Sequence, residues 1–227
     1  MRRPPGAPSS IAAAREAVQR VCARMVADGL VTGSAGNVSV RLGETMVVSA
    51  GGVPYEYLDA GDHPVVGLTD GGVEGELKPT SEMPLHLGVM RGLEGVGAIV
   101  HTHSRYAAAF AVARRDLPFV CNENLGSRAE RILVTDPYAA PGSPELAEAA
   151  LRAFGRQPGS RAVLLANHGV VAIGETVEDA YLVAAQVEWV AEIAHLAEGL
   201  GGARVLGPEE QDWMGRTYGV TFGRERP

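Results

Sequence analysis

The chain has 227 residues, 46% of them apolar and 21% charged, with a net charge of −7. That length supports one α/β domain with a substantial core, and an acidic balance without a basic block argues against a nucleic-acid or anionic-membrane surface and for a small-molecule partner. No apolar run approaches the ~20 residues of a membrane span.

Residues 1–10 are rich in arginine and proline and lack the apolar stretch of a secretory signal. They are expected to form a flexible tail on a cytoplasmic protein, with residues 11–227 as a single domain that includes a C-terminal tail. Ser10 is placed to cap a helix from Ile11 to Asp28, with Ile11, Ala14, Val18, Val21, Cys22 and Met25 on one stripe and Gly29 at its end. Cys22 and Cys121 lie far apart with no Cys-x-x-Cys spacing, which predicts buried reduced thiols.

A small-residue loop, Thr32 to Gly36, enters an alternating strand at Asn37. Its glycines let the backbone approach a ligand closely, and Asn37 can donate from its amide. A hairpin turning at Gly43 returns over Thr45 to Ala50 into a second glycine bend, Gly51-Gly52-Val53-Pro54-Tyr55. Val65 to Leu77 predicts another hairpin around Asp70-Gly71-Gly72. The segment Lys78-Pro79-Thr80-Ser81-Glu82-Met83-Pro84 then opens a helix to about Gly92, with Thr80 or Ser81 as N-cap. Free N–H groups and two hydroxyls at this helix start form an anion site; the alternative reading is ordinary capping, with Glu82 as a first-turn acid.

An apolar run from Gly95 ends in His101-Thr102-His103. Side chains alternate along a strand, so both imidazoles leave on one face. A metal centre that keeps an open position needs three protein ligands, and the third is expected at His168, where a second strand pattern, Ala162 to Ala166, runs into Asn167-His168-Gly169. His63, His86 and His195 are read as structural. His86 stands four residues past Glu82 on the same helix, which leaves both helix packing and support of a ligand open to it.

Ser104 to Arg115 predicts a helix, Phe119 to Asn122 and Arg131 to Thr135 short strands, and Ser143-Pro144 a helix to about Phe154. Thr176 and Asp179 start a long helix to about Glu198. Its apolar residues, Tyr181, Ala184, Val187, Val190, Ala191, Ala194 and Leu196, together with Trp189, are read as core or subunit packing. The tail from Gly199 retains Trp213, Tyr218 and Phe222, which predicts that it docks. Lys78 is the only lysine, and it precedes a proline in an apparent exposed turn, which argues against Schiff-base chemistry.

These motifs carry a resemblance. Gly36-Asn37-Val38-Ser39, Gly52-Val53-Pro54-Tyr55, Thr80-Ser81-Glu82, His101-Thr102-His103, Asn167-His168-Gly169 and Thr217-Tyr218-Gly219 make residues 11 to 220 similar to the class II aldolase/adducin family, and within it to the bacterial L-fuculose-phosphate aldolases. The resemblance implies a three-layer α/β/α fold with a mostly antiparallel central sheet, assembled as a homotetramer with sites at subunit interfaces. It implies one Zn²⁺ per subunit on His101, His103 and His168. Glu82 would complete the shell in the resting site and serve as acid/base when substrate binds. It further implies that Gly36, Asn37, Gly52, Thr80 and Ser81 hold a substrate phosphate and that Tyr218 handles the aldehyde end. The implied reaction is reversible cleavage of a ketose 1-phosphate to dihydroxyacetone phosphate and a small aldehyde.

Two positions depart from the family pattern. Gly51 stands where the aldolases carry a hydroxyl residue, and Asn122, followed by Glu123, stands where they carry a catalytic tyrosine. Loss of that phenol raises the alternatives of 4-epimerisation, dehydration or decarboxylation of a sugar phosphate on the same metal site. An adducin-like binding module is the non-enzymatic alternative.

Overall fold

A computed structural model describes residues 6–223, so the parts of the two expected tails at 1–5 and 224–227 lie outside the described residues. Seven strands form the central sheet in the order β4-β3-β2-β1-β5-β9-β8. They are β1 (Asn37–Leu42), β2 (Thr45–Val48), β3 (Val65–Gly67), β4 (Val73–Glu74), β5 (Ala98–Thr102), β8 (Ala162–Leu165) and β9 (Gly169–Gly174), and each pairs antiparallel with its neighbours. A two-stranded ribbon, β6 (Leu117–Pro118) with β7 (Arg131–Ile132), stands apart from it.

The strands sort their side chains by alternation, and this creates the layers. Val38, Val40, Ala98, Val100, Leu164, Val170 and Ala172 point to one face, where they meet α1 (Ile11–Ala27), α3 (Arg105–Val112) and α5 (Val177–Glu198). Met46, Val48, Ile99, Val163, Leu165, Val171 and Ile173 point to the other, against α2 (Met83–Gly92) and α4 (Pro144–Arg156). Sheet faces covered on both sides explain why the central strands read as near-continuous apolar runs. The result is the expected three-layer α/β/α arrangement with an antiparallel central sheet. No helix among the described residues is long and apolar enough to cross a membrane.

Local sequence signals account for most element ends. Ser10 Oγ accepts from the Ala13 N–H at 3.2 Å, Thr176 Oγ1 from the Asp179 N–H at 3.2 Å, and Pro144 opens α4. Ile11, expected on the buried stripe of α1, is instead exposed in its first turn, and Leu196 is exposed near the end of α5. The strand expected over Phe119 to Asn122 is replaced by β6 and a 3₁₀ helix, Asn122–Ser127. The reason is Asn124, whose side-chain oxygen accepts from the N–H groups of Val120 and Cys121 at 2.9 and 3.2 Å and so takes donors a ladder would need. The last helix, α6 (Pro208–Tyr218), docks through Gln211, which donates to the Glu130 carbonyl at 3.4 Å, and the segment after it packs Phe222 against Phe119.

Candidate metal centre

His101 lies near the end of β5, on the face shared with Ile99 and α2, and His103 follows one step beyond the strand. His168 sits in the turn joining β8 to β9. That turn takes Asn167 into the left-handed region (φ 54°), and the Arg114 Nε–H donates to Asn167 Oδ1 at 2.7 Å, which holds the turn. Gly169 admits the close approach that follows, because a Cβ there would stand 2.1 Å from the Thr102 carbonyl oxygen and 3.2 Å from His103 Cδ2.

The three imidazoles converge as a near-trigonal set. Their ring centroids are 4.7, 4.7 and 4.8 Å apart with interplanar angles of 69–71°. His101 Nε2 is 2.9 Å from His103 Nε2, 3.3 Å from His168 Nε2 and 3.0 Å from Glu82 Oε2. Glu82 Oε1 lies 3.5 Å from His168 Nε2. A tetrahedral ion with bonds of ~2.0–2.1 Å holds its ligand atoms about 3.3 Å apart, so this donor set is sized for one. His101 Nδ1 donates to the Val170 carbonyl at 2.7 Å, and since a carbonyl only accepts, its Nε2 lone pair faces the other donors.

Several further observations fit a cation at this point. Glu82 Oε1 is buried without a hydrogen-bond partner and lies on the His168 side of the cluster. Burial holds His103 and His168 down at about 4, with His101 adding to each effect, so both rings are neutral at neutral pH, the form that can bind a metal. Burial pushes the Glu82 carboxyl up, but His101, His168 and the Asn37 amide outweigh it, and the group lies well below the usual carboxylate range. Three imidazoles and a carboxylate suit Zn²⁺, Co²⁺, Mn²⁺ or Fe²⁺.

Glu82 takes the N-cap position of α2 without capping it, in place of the expected Thr80 or Ser81. Thr80 Oγ1 instead accepts from the Glu82 N–H at 3.3 Å, which leaves the carboxylate free to face the histidines. Asn37 Nδ2 donates to Glu82 Oε2 at 2.9 Å. His86 Nε2 is 2.5 Å from Asn37 Oδ1, and His86 Nδ1 is 2.6 Å from Ser39 Oγ. Asn37, Ser39, Glu82 and His86 are all buried.

The phosphate candidates fall in adjoining loops. The Gly51 N–H donates to the Lys78 carbonyl and the Thr80 N–H to the Ser49 carbonyl, each at 3.0 Å, which brings the second glycine bend against the entry to α2. Gly36 sits beneath β5, where a Cβ would stand 2.5 Å from the His101 carbonyl oxygen. Backbone N–H groups of Gly36, Gly52 and Ser81 have no acceptor among the described residues. Asn37, in contrast, spends its side-chain amide on Glu82 and His86.

Tyr218 lies outside the cluster formed by the four candidate ligands of its own chain. It ends α6 and is exposed, and the tail beyond it packs Gly223 beside Gln157 and Pro158, which lead into the Ala162 end of β8. His168 follows the opposite, Leu165 end. Asn122 is exposed at the start of the 3₁₀ helix, with Glu123 beside it. Sequence reasoning missed Ser39. Its signal was there: a hydroxyl two residues from Asn37 on an otherwise apolar strand shares that residue's face.

Residues 16–195 match the family described as Class II Aldolase and Adducin N-terminal domain. Over 206 residues the chain is 32% identical to the 5-deoxy-D-ribulose 1-phosphate aldolase of Bacillus thuringiensis serovar kurstaki, covering 90% of this chain and 94% of that one. Over 181 residues it is 30% identical to the L-fuculose phosphate aldolase of Methanococcus maripaludis, covering 80% and 96%. Among solved structures it is similar to an L-fuculose 1-phosphate aldolase, with a TM-score of 0.83 and 30% identity over 91% of this chain and 96% of that one.

Proposed function

The chain belongs to the class II aldolase and adducin family and, with its aldolase relatives and fold, is an enzyme of the lyase class; from that premise we propose a Zn²⁺-dependent aldolase that reversibly cleaves a ketose 1-phosphate. Its substrate is of the L-fuculose 1-phosphate kind, a set that the 5-deoxy-ribulose relative widens to shorter ketoses, and its products are dihydroxyacetone phosphate and a small aldehyde. The observation that carries the reading is the convergence of His101, His103, His168 and Glu82, with ligand atoms within 4.8 Å of one another, beside a loop cluster with free backbone donors.

His101, His103 and His168 hold one ion per subunit. When bound, the ion supplies Lewis acidity toward the carbonyl and neighbouring hydroxyl of the ketose. The N–H groups of Gly36, Gly52 and Ser81, with the Thr80 and Ser81 hydroxyls, receive the phosphate. Asn37 is left out of the phosphate donors, since its side chain holds Glu82 and its backbone pairs with His101 across β1 and β5. In the condensation direction Glu82 takes a proton from the donor carbon, and in cleavage it returns that proton as the C3–C4 bond gives up its electron pair to the donor fragment. Tyr218 closes over the aldehyde end and moves the proton of its oxygen. Because α6 is tied away from its own ligands, Tyr218 serves a neighbouring subunit in a homotetramer. We place the enzyme in the cytoplasm, as a single domain over residues 11–227.

A second reading is favoured by Asn122, where an amide replaces the family's phenol. On it, the same site performs 4-epimerisation, dehydration or decarboxylation, with Glu123 supplying the carboxylate for dehydration. Product analysis separates the two. Metal-loaded protein is incubated with L-fuculose 1-phosphate, L-rhamnulose 1-phosphate, L-ribulose 5-phosphate and 5-deoxyribulose 1-phosphate. Release of dihydroxyacetone phosphate is expected. A product that keeps every carbon would overturn the aldolase reading in favour of the second, and metal-free, inactive protein would favour a binding module.

A further inference from the structure

Three buried side chains that the reaction above does not use directly, Ser39, His86 and Asn37, form a polar chain that ends on Glu82. Its direction follows from its charged end. Ionised Glu82 can only accept, so the hydrogen bond at 2.9 Å fixes the NH₂ of Asn37 toward it and the Asn37 carbonyl oxygen toward His86. That oxygen in turn only accepts, so the proton of His86 sits on Nε2, at 2.5 Å, and its Nδ1 is left to accept from the Ser39 hydroxyl at 2.6 Å. Every polar atom of the Asn37 and His86 side chains is engaged, and the residues are 0–4% exposed.

The chain exists because two repeats match. Asn37 and Ser39 are two apart on β1, about 6.7 Å at 3.3–3.4 Å per residue, while Glu82 and His86 are four apart on α2, about 6.0 Å at 1.5 Å per residue. The strand and the helix therefore face each other rung for rung. An amide side chain can turn over, presenting its oxygen where its nitrogen was. Asn37 alone has nothing in its own structure to prevent this, and an oxygen facing a carboxylate would push Glu82 away from the histidines.

We propose that His86 and Ser39 are positioning residues that lock the Asn37 amide in one orientation and thereby hold the Glu82 carboxylate against His101 and His168. The proposal rests on the reading of Glu82 as ligand and acid/base. It assigns to His86 more than helix packing, and it reaches Glu82 through Asn37 and not along α2. The cost of releasing the lock falls on the orientation of Glu82; the three imidazoles and the phosphate loops stay in place.

The test compares wild type with His86→Leu, His86→Gln and Ser39→Ala, each loaded with Co²⁺, whose visible absorption reports its ligand shell. Gln at position 86 can return an N–H to the Asn37 oxygen, whereas Leu cannot. Expected in His86→Leu is a shifted cobalt spectrum and a kcat at least tenfold lower with KM within about twofold, both largely restored in His86→Gln, with Ser39→Ala intermediate. If His86→Leu does not fold, Ser39→Ala is read in its place, since it removes one terminal hydroxyl. An unchanged spectrum and kcat in the folded variants, or a loss that Gln does not restore in any part, would overturn the proposal. The spectrum needs no substrate, so it decides the matter even if wild type cleaves none of the ketose phosphates, an outcome that would count against the aldolase reading alone.

Discussion

Asn37 stands directly opposite His101 in the register of β1 and β5, and Glu82 touches both. A sheet pairing therefore fixes the distance between a candidate metal ligand and the residue that donates to the Glu82 carboxylate. Chemistry at this centre is coupled to backbone geometry, and the predictions below probe that coupling from different sides.

Replacing Glu82 by Gln keeps the shape and removes the charge and the proton acceptor. Cleavage is expected to fall by about 10²–10⁴-fold, the range general acid–base catalysis supplies. Metal content of the purified variant should stay near that of wild type, because three imidazoles remain. Dihydroxyacetone phosphate release and elemental analysis read the two quantities, and full activity in this variant would rule out the assigned role.

Chelation should lower the melting temperature as well as abolish activity, and a divalent ion should restore both. A ligand present at about 1,000 times its Kd adds about 4 kcal/mol to the folded state. Calorimetry with and without chelator checks this. A melting temperature indifferent to chelator would mean that the cluster holds no ion.

Gly36→Ala is expected to destabilise strongly, because the backbone has φ +68° and the new Cβ would meet the His101 carbonyl oxygen at 2.5 Å and Val31 Cγ1 at 2.7 Å. Gly43→Ala is the control, with φ +57° and open space around it. Its cost should be confined to the backbone, about 1 kcal/mol. Urea unfolding of both compares them, and the Gly36 variant should be worse by several-fold in free energy.

Acid should destabilise the fold through His63 and His86, which burial holds at about 4 and about 3. Their folded values lie below the unfolded value of about 6.5, so below that pH the unfolded chain binds more protons. The stabilisation from keeping them neutral is complete above about pH 6.5 and is lost as pH falls toward the folded values. Each contributes a slope of about 1.4 kcal/mol per pH unit in that window. Denaturant titrations from pH 7 to 4 measure it, and His86→Gln should flatten the curve.

Tyr218→Phe should lower kcat by about tenfold or more while leaving metal content unchanged. If the tail serves a neighbouring subunit, mixing and refolding Glu82→Gln chains with Tyr218→Phe chains should recover part of the wild-type rate, since some sites then draw both intact residues. No recovery in mixed oligomers would place Tyr218 on its own chain's site or outside the reaction.

Much of this was legible in the sequence because the informative signals are local. Ser10, Thr176 and Pro144 mark helix starts by hydrogen-bond chemistry that acts within a turn, and His101 with His103 declare a shared strand face by their spacing alone. His168 was found by analogy of pattern, a strand ending in histidine. What stayed hidden depends on pairing. From its glycine loop Asn37 reads only as an amide able to donate to a ligand, the phosphate role being implied by the resemblance, and nothing in its neighbours shows that α2 lies across from it in phase. Asn124 overrode the strand propensity of Phe119 to Cys121 through side-chain hydrogen bonds, a competition that pattern reading does not weigh. Tyr218 was tied to a site by its motif, but the direction in which α6 docks is decided by Phe119, Glu130 and Gln157, remote in sequence.

The near-trigonal arrangement of the three imidazoles carries one more consequence. Donors that are almost interchangeable around an axis cannot distinguish the two faces of a prochiral carbonyl. Handedness at the new carbon–carbon bond must then be imposed by what lies off that axis: the side on which Glu82 stands and the glycine bends beside the entry to α2. Altering stereochemical preference in this enzyme is therefore a matter of reshaping those walls, and exchanging one ion for another should change its rate while leaving the configuration of its product intact.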